Sequence, residues 1–194
     1  ICSATEERQK SARELAKENI PITIIEKGPY IHSKDAFNYY DKYSEDVDLL
    51  TTTCIGGATI VSMSNMVRAL GSELNEYDVD LTEAYEYVEE LVGVHQLDDS
   101  HIGKGTQLFL DAGYELGLET LKMPKAIREK DCIQCGKCAF GCPADAKWSG
   151  KDFVDEAVEN GATLICEAEV TEVLKENGKV CGVKYIKDDK EEVI

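Results

Sequence analysis

Long apolar runs are what this chain most plainly lacks. No stretch of its 194 residues approaches the roughly 18 uninterrupted apolar positions of a membrane-crossing helix, so no membrane span is expected. The N-terminus shows neither the charged head nor the apolar run of a secretory signal. Basic charge is scarce as well. The 21 lysines and arginines face 38 aspartates and glutamates, a formal net charge of −17. Such a surface repels nucleic acid and anionic lipid, which removes both from the expected partners, and it favours solubility and a basic docking partner. Internal repeats and low-complexity linkers are missing too.

What is present is ordinary for a folded chain: 43% hydrophobic and 30% charged residues, enough for one domain or two small ones. The eight cysteines are the exception. With no secretory signal and no small-scaffold spacing they do not read as a disulfide framework. Reduced thiols in a cytoplasm are expected, free to bind metal or to pack as small apolar residues.

Helical composition and spacing cover residues 5–19, with Ala12, Leu15 and Ala16 on one face. Ile22-Thr23-Ile24-Ile25 follows, a short β-branched run bounded by Pro21 and Gly28 that predicts a buried, parallel strand ending at Glu26. Residues 35–50 carry aromatic and acidic side chains without clear period and are expected to form a loop or short helix. A turn at Gly56-Gly57 precedes an expected helix over Ala58–Leu70. Asp80 is a good N-cap for a helix over Leu81–Val92, and Gly117 is placed to stop another over Thr106–Leu116. Ser149 with Asp152 opens a helix through Val158, which Gly161 ends. Two strand-like runs, Ala162–Leu174 and Val180–Ile186, flank Asn177-Gly178, a strong short-range hairpin signal, and a third strand is expected from Glu191.

The densest signal is CIQCGKCAFGCPADAKW, residues 132–148. Cys132, Cys135, Cys138 and Cys142 have the C-x2-C-x2-C-x3-C-P spacing of bacterial ferredoxins, which points to a 4Fe–4S cluster. Gly136 and Gly141 supply turns that let successive thiolates face one point. Structural zinc is the competing reading, but zinc sites usually pair two Cys-x-x-Cys knuckles across a longer loop. In two-cluster ferredoxins the fourth cysteine of each run serves the other cluster, so Cys142 either bends back here or yields to a distant thiol, Cys54 or Cys166. Cys2 and Cys181 read as structural.

Glu26 is the second signal. In dinucleotide-binding βαβ units an acidic residue at the end of the second strand hydrogen-bonds a ribose hydroxyl. The glycine-rich phosphate loop that should precede the first helix is not legible: ICSATEERQK, residues 1–10, holds no glycine, and its two acidic side chains would repel phosphate.

In order along the chain, SARELAKENIPITIIEKG (11–28), CIGGATIVSMSNMVRALG (54–71), the cysteine run and VDEAVENGATLICEAEVTEVLKENGKVCGVKY (154–185) resemble the N-terminal half of glucose-methanol-choline (GMC) FAD-dependent oxidoreductases, in particular prokaryotic members with a ferredoxin-like cysteine insertion. The resemblance implies an α/β fold, a partial FAD/NAD(P)-binding, Rossmann-like domain with a helical segment and a cysteine-rich loop. It divides the chain into residues 1–55, the first part of the FAD-binding βαβ, and 56–128, a Gly-Gly flavin segment with helices. Residues 129–150 are then the cysteine loop, and 151–194 a helix and hairpin returning to the FAD domain. It also implies cofactor contacts: Glu26 to the adenosine ribose, Gly56, Gly57, Thr59, Ser62 and Asn65 along the phosphate and isoalloxazine side, and Val170 through its backbone to adenine.

The activity so implied is oxidation of a CH–OH-like group on a small-molecule substrate. Electrons would pass through the cluster to a carrier or second subunit. No catalytic residue is assigned, because His32, His95 and His101 do not fall in the family's C-terminal motif. The family pattern runs well past residue 194, so a fragment, a split subunit or a degenerate copy is expected. The alternative is a non-catalytic electron-transfer or assembly subunit that holds the cluster and no flavin, and a cofactor-free remnant is a third possibility.

Overall fold

The computed structural model describes residues 6–43, 49–68, 74 and 76–194, with the backbone alone at 6, 40–43 and 49–51. Cys2, the first residue of the expected opening helix and the last two of the expected 58–70 helix lie outside the described residues. The chain divides into two compact units. One is built from Ile1–Ser62, Ala139–Pro143 and Ser149–Ile194, the other from Met63–Cys138 and Ala144–Trp148.

In the first unit, helix α1 (Glu6–Lys17) lies against helix α4 (Gly150–Glu159). The contact is made by small side chains: Ala12 and Ala16 of α1 share a core with Val154 and Ala157 of α4, joined by Ile24, Ile55 and Ala162. Alanine at i and i+4 leaves no side-chain bulk between the helices, so their backbones approach closely. Leu15, expected on that face, stands 37% exposed at its rim. Arg13 closes the edge, bonded to Glu156 through Nε at 2.5 Å and lying over the Phe153 ring.

Strand β1 (Thr23–Ile25) pairs in parallel with β6 (Thr163–Ile165), as the buried β-branched run requires. The pairing continues past the C-terminal end of the two strands: the Glu26 N–H donates to the Ile165 carbonyl at 2.9 Å, and the Ala168 N–H to the Glu26 carbonyl at 3.0 Å. Strands β7 (Ala168–Glu176), β8 (Lys179–Lys187) and β9 (Lys190–Val193) form an antiparallel meander. Asn177 and Gly178 both take left-handed φ, 50° and 76°, the pair of values that matches the twist of a two-residue hairpin. Residues 35–50 contain more than a loop: a 3₁₀ segment, Ser33–Tyr39, leads into the β2 (Tyr40–Tyr43) and β3 (Leu49–Thr52) pair.

The second unit contains α2 (Thr82–Val92), β4 (Val94–Gln96), α3 (Lys104–Glu115) and β5 (Pro124–Ala126), with β4 and β5 antiparallel. Asp80 accepts the Thr82 N–H at 2.9 Å, and Gly117 takes φ 69° just beyond α3, so both expected boundary signals act where they stand.

The helix expected over 58–70 does not form. A 3₁₀ turn, Gly57–Ile60, ends it at once, and residues 61–68 are irregular apart from an isolated bridge at Asn65. Its polar groups find better partners elsewhere: Ser62 Oγ donates to the Thr59 carbonyl, Ser64 Oγ to the Ala126 carbonyl, and the Met66 N–H to the Pro124 carbonyl. Serines that bond the backbone locally or across a turn compete with helix formation, and here they win.

Candidate functional site

The end of β1 opens onto a cleft of about 330 Å³ in the first unit, lined by residues 25–27, 52–54, 57 and 168–170. Its floor is acidic. Glu26 is 7% exposed, and its Oε1 accepts the Gly28 N–H at 2.9 Å, which fixes the carboxylate at the turn. Gly28 is required there, because a Cβ on residue 28 would overlap the Thr53 carbonyl. This close approach brings the strand end and the 52–54 segment onto one wall.

The Glu26 charge acts on two thiols. Burial first, then Glu26, pushes the Cys54 thiol up to about 12, and the same two causes raise Cys166. Cys54 therefore stands as a neutral wall of the cleft. At the mouth Lys27 pairs with Glu169 at 2.8 Å; both are well exposed, so the pair adds little to stability. Thr52, 8% exposed, contributes a buried hydroxyl with no hydrogen-bond partner among the described residues.

Three of the seven residues expected to contact a cofactor, Glu26, Gly57 and Val170, thus line one cleft although they come from distant parts of the chain. The others do not line it. Gly56, at φ 90°, presses on the start of α4, where an added Cβ would stand 3.2 Å from the Lys151 nitrogen. Thr59 Oγ1 accepts the Gly150 N–H at 2.8 Å and donates to the Gly56 carbonyl. Ser62 donates to the Thr59 carbonyl at 3.0 Å. Asn65 belongs to the second unit, where its Oδ1 accepts from Lys125 Nζ at 2.6 Å. The α4 N-terminus is likewise committed to the chain itself, through Thr59 and through the capping box of Ser149 and Asp152. Sequence reasoning missed Thr52 and Thr53 and considered Cys54 only as a cluster ligand; the cue was their place just before the Gly-Gly turn.

The cysteine run is divided. Cys132, Cys135 and Cys138 lie in the second unit and Cys142 in the first. Cys142 is 8% exposed, anchored by its neighbours: Phe140 meets Phe37 edge-on at 5.3 Å, and Gly141, at φ 91°, sits where any Cβ would strike the Ser33 carbonyl. Among the described residues no three His, Cys, Asp or Glu side chains come together as a metal-holding set, and no disulfide forms. The expected gathering of four thiolates around one point is not seen among the described residues. The histidines take local roles. His32 Nδ1 accepts the Lys34 N–H at 3.1 Å, while His95 Nε2 stands 3.3 Å from Glu129 Oε1 and His101 Nε2 lies 3.3 Å from the Glu129 carbonyl. No helix of the described residues is long and apolar enough to cross a membrane.

The family model for GMC oxidoreductases matches residues 42–194. The chain belongs to the GMC oxidoreductase family. Two proteins of Mycobacterium tuberculosis, strains CDC 1551 / Oshkosh and H37Rv, each described as an uncharacterized GMC-type oxidoreductase, are similar to it at 30% identity over 89 residues. That stretch is 45% of this chain and 14% of each relative. Among solved structures, pyridoxine 4-oxidase from Mesorbium loti is similar with a TM-score of 0.70 at 13% identity, over 100% of this chain and 46% of that one. A formate oxidase variant from Aspergillus oryzae RIB40, described for its FAD modification, gives 0.64 at 11% identity, over 100% of this chain and 42% of that one. The chain therefore spans less than half the length of either oxidase, and shares with them a mixed α/β GMC fold.

Proposed function

We propose that this chain is the cofactor-binding portion of an FAD-dependent GMC-type oxidoreductase and that the Glu26 cleft holds the adenosine end of FAD. One observation carries the reading: Glu26, Gly57 and Val170, expected to contact the cofactor from separate parts of the sequence, line a single cleft. The residues fit that group. A buried carboxylate held by a backbone N–H is a strong acceptor for a sugar hydroxyl, and the Thr52 hydroxyl has unmet hydrogen-bonding capacity. FAD, when bound, supplies acceptance of a hydride or electron pair from a CH–OH-like group of a small-molecule substrate. The chain's own part is to bind and orient the nucleotide. In this reading residues 1–55 and 151–194 form the nucleotide side, 56–128 approach the flavin, and 129–150 form the cysteine loop. The protein works in the cytoplasm beside an electron carrier or second subunit.

Titration of the purified chain with FAD, followed by flavin fluorescence and by the bands near about 370 and 450 nm, tests the assignment. Saturable binding is expected, weakened at least about tenfold by Glu26→Gln, since a charged acceptor is replaced by a neutral one of the same shape. No binding by the unaltered chain would sink it.

A second reading, an electron-transfer or assembly subunit with a 4Fe–4S cluster and no flavin, is favoured by the spacing of Cys132, Cys135, Cys138 and Cys142. Iron and sulfide assayed in anaerobically purified protein decide it. About four of each per chain, lost in Cys135→Ser but kept in Cys181→Ser, would support it.

A further inference from the structure

We infer that Thr52 is a ligand-positioning residue of the Glu26 cleft, its side-chain hydroxyl bonding a ribose hydroxyl of the bound nucleotide. This rests on the reading of the cleft as an adenosine site and adds a residue that neither the sequence motifs nor the family resemblance assigns.

Three observations converge on it. Thr52 ends β3 and lines the same cleft as Glu26. It is 8% exposed, and its hydroxyl has no hydrogen-bond partner among the described residues. A hydroxyl buried in that way is a net cost to the folded protein, and valine, equal in shape and at home at a strand end, would avoid it. A cost of this kind is maintained where a ligand meets it.

The surrounding charge says what sort of group that is. Glu26 and Glu169 both face the cleft, and Lys27 is tied to Glu169 at its mouth. Two carboxylates with one spoken-for cation disfavour a phosphate and suit an uncharged, hydroxyl-bearing sugar, which donates to a carboxylate and both donates to and accepts from a threonine. Cys54, on the same wall, is a neutral buried thiol and a poor substitute in either role.

The test uses the full chain, its Thr52→Val and Thr52→Ser variants, and two probes, ADP and 2′,3′-dideoxy-ADP, titrated by calorimetry, with thermal melts of the ligand-free proteins. The expected result has opposite signs in the two measurements. Thr52→Val melts higher than the unaltered chain, having shed an unpaired hydroxyl, yet binds ADP about five- to tenfold more weakly, the loss of one neutral hydrogen bond. Thr52→Ser keeps ADP affinity within about twofold. The dideoxy probe binds the unaltered chain and Thr52→Val alike. Equal ADP affinity in the unaltered chain and Thr52→Val overturns the inference while leaving the cleft assignment intact. So does an equal loss for both probes, or a lower melting temperature in Thr52→Val, which would mark a purely structural role. An unaltered chain that binds neither ADP nor FAD removes the cleft assignment itself, and the role of Thr52 with it.

Discussion

The Gly28 N–H donates to Glu26 Oε1 across two residues, while the Gly28 Cα lies against the Thr53 carbonyl. One glycine therefore both aims the acidic side chain of the cleft and lets the strand end lie against the 52–54 segment. Gly28→Ala is expected to destabilise the chain by about 2–3 kcal/mol, the cost of forcing a methyl into filled space. The same change should weaken FAD binding, because the Glu26 turn must shift to make room. Urea unfolding and a fluorescence titration of the same protein check the two effects together. A glycine that served only as a flexible turn would leave both unchanged.

The raised Cys54 thiol has a pH consequence. Its folded-state value is about 12 against an ordinary 9.0, so the folded chain holds this proton more tightly than the unfolded chain does. The contribution to stability is complete below about pH 9 and is lost as pH rises from there towards 12. Urea midpoints measured from pH 8 to pH 11 should fall with pH in the unaltered chain and fall less steeply in Cys54→Ala. Parallel slopes would show that Cys54 carries no linked proton in that range.

Ser149 and Asp152 close the first turn of α4, whose Phe153, Val154 and Ala157 are buried. Ser149→Ala should cost about 1 kcal/mol. Because the Gly150 N–H bonds Thr59, the loss should be felt at residues 57–60 as well as in the helix. Amide hydrogen exchange would register that as faster exchange in both segments at once.

Features whose causes are local could be read directly from the sequence. Asn177-Gly178 dictates its hairpin because its two backbone conformations are intrinsic to those residues. Ser149 caps α4 with an aspartate three positions on. Thr23–Ile25 is a strand because its β-branched side chains suit a buried ladder, and Glu26 falls at its end for the same reason.

What escaped depended on partners far along the chain. Ser64 and Met66 leave the helical path because Ala126 and Pro124, some sixty residues later, take their hydrogen bonds. Thr52 could not be picked out, since its neighbours in the cleft, Glu26 and Val170, are set beside it only by the folded sheet. The cysteine spacing was fully visible, but a spacing does not say where Phe140 will dock. Its contact with Phe37 holds Cys142 among the buried residues of the first unit.

The bond from the Gly150 amide to Thr59 joins segments that leave the ribosome about ninety residues apart. The unit containing the cleft is assembled from segments that lie before and after an inserted stretch. During synthesis α1 and β1 must wait, their alanine and isoleucine faces uncovered, until α4 and β6 emerge to meet them. A chain cut at residue 148 is expected to hold neither the nucleotide nor its own opening helix, whereas the inserted stretch would already have all its residues. For this architecture the order of folding runs against the order of translation.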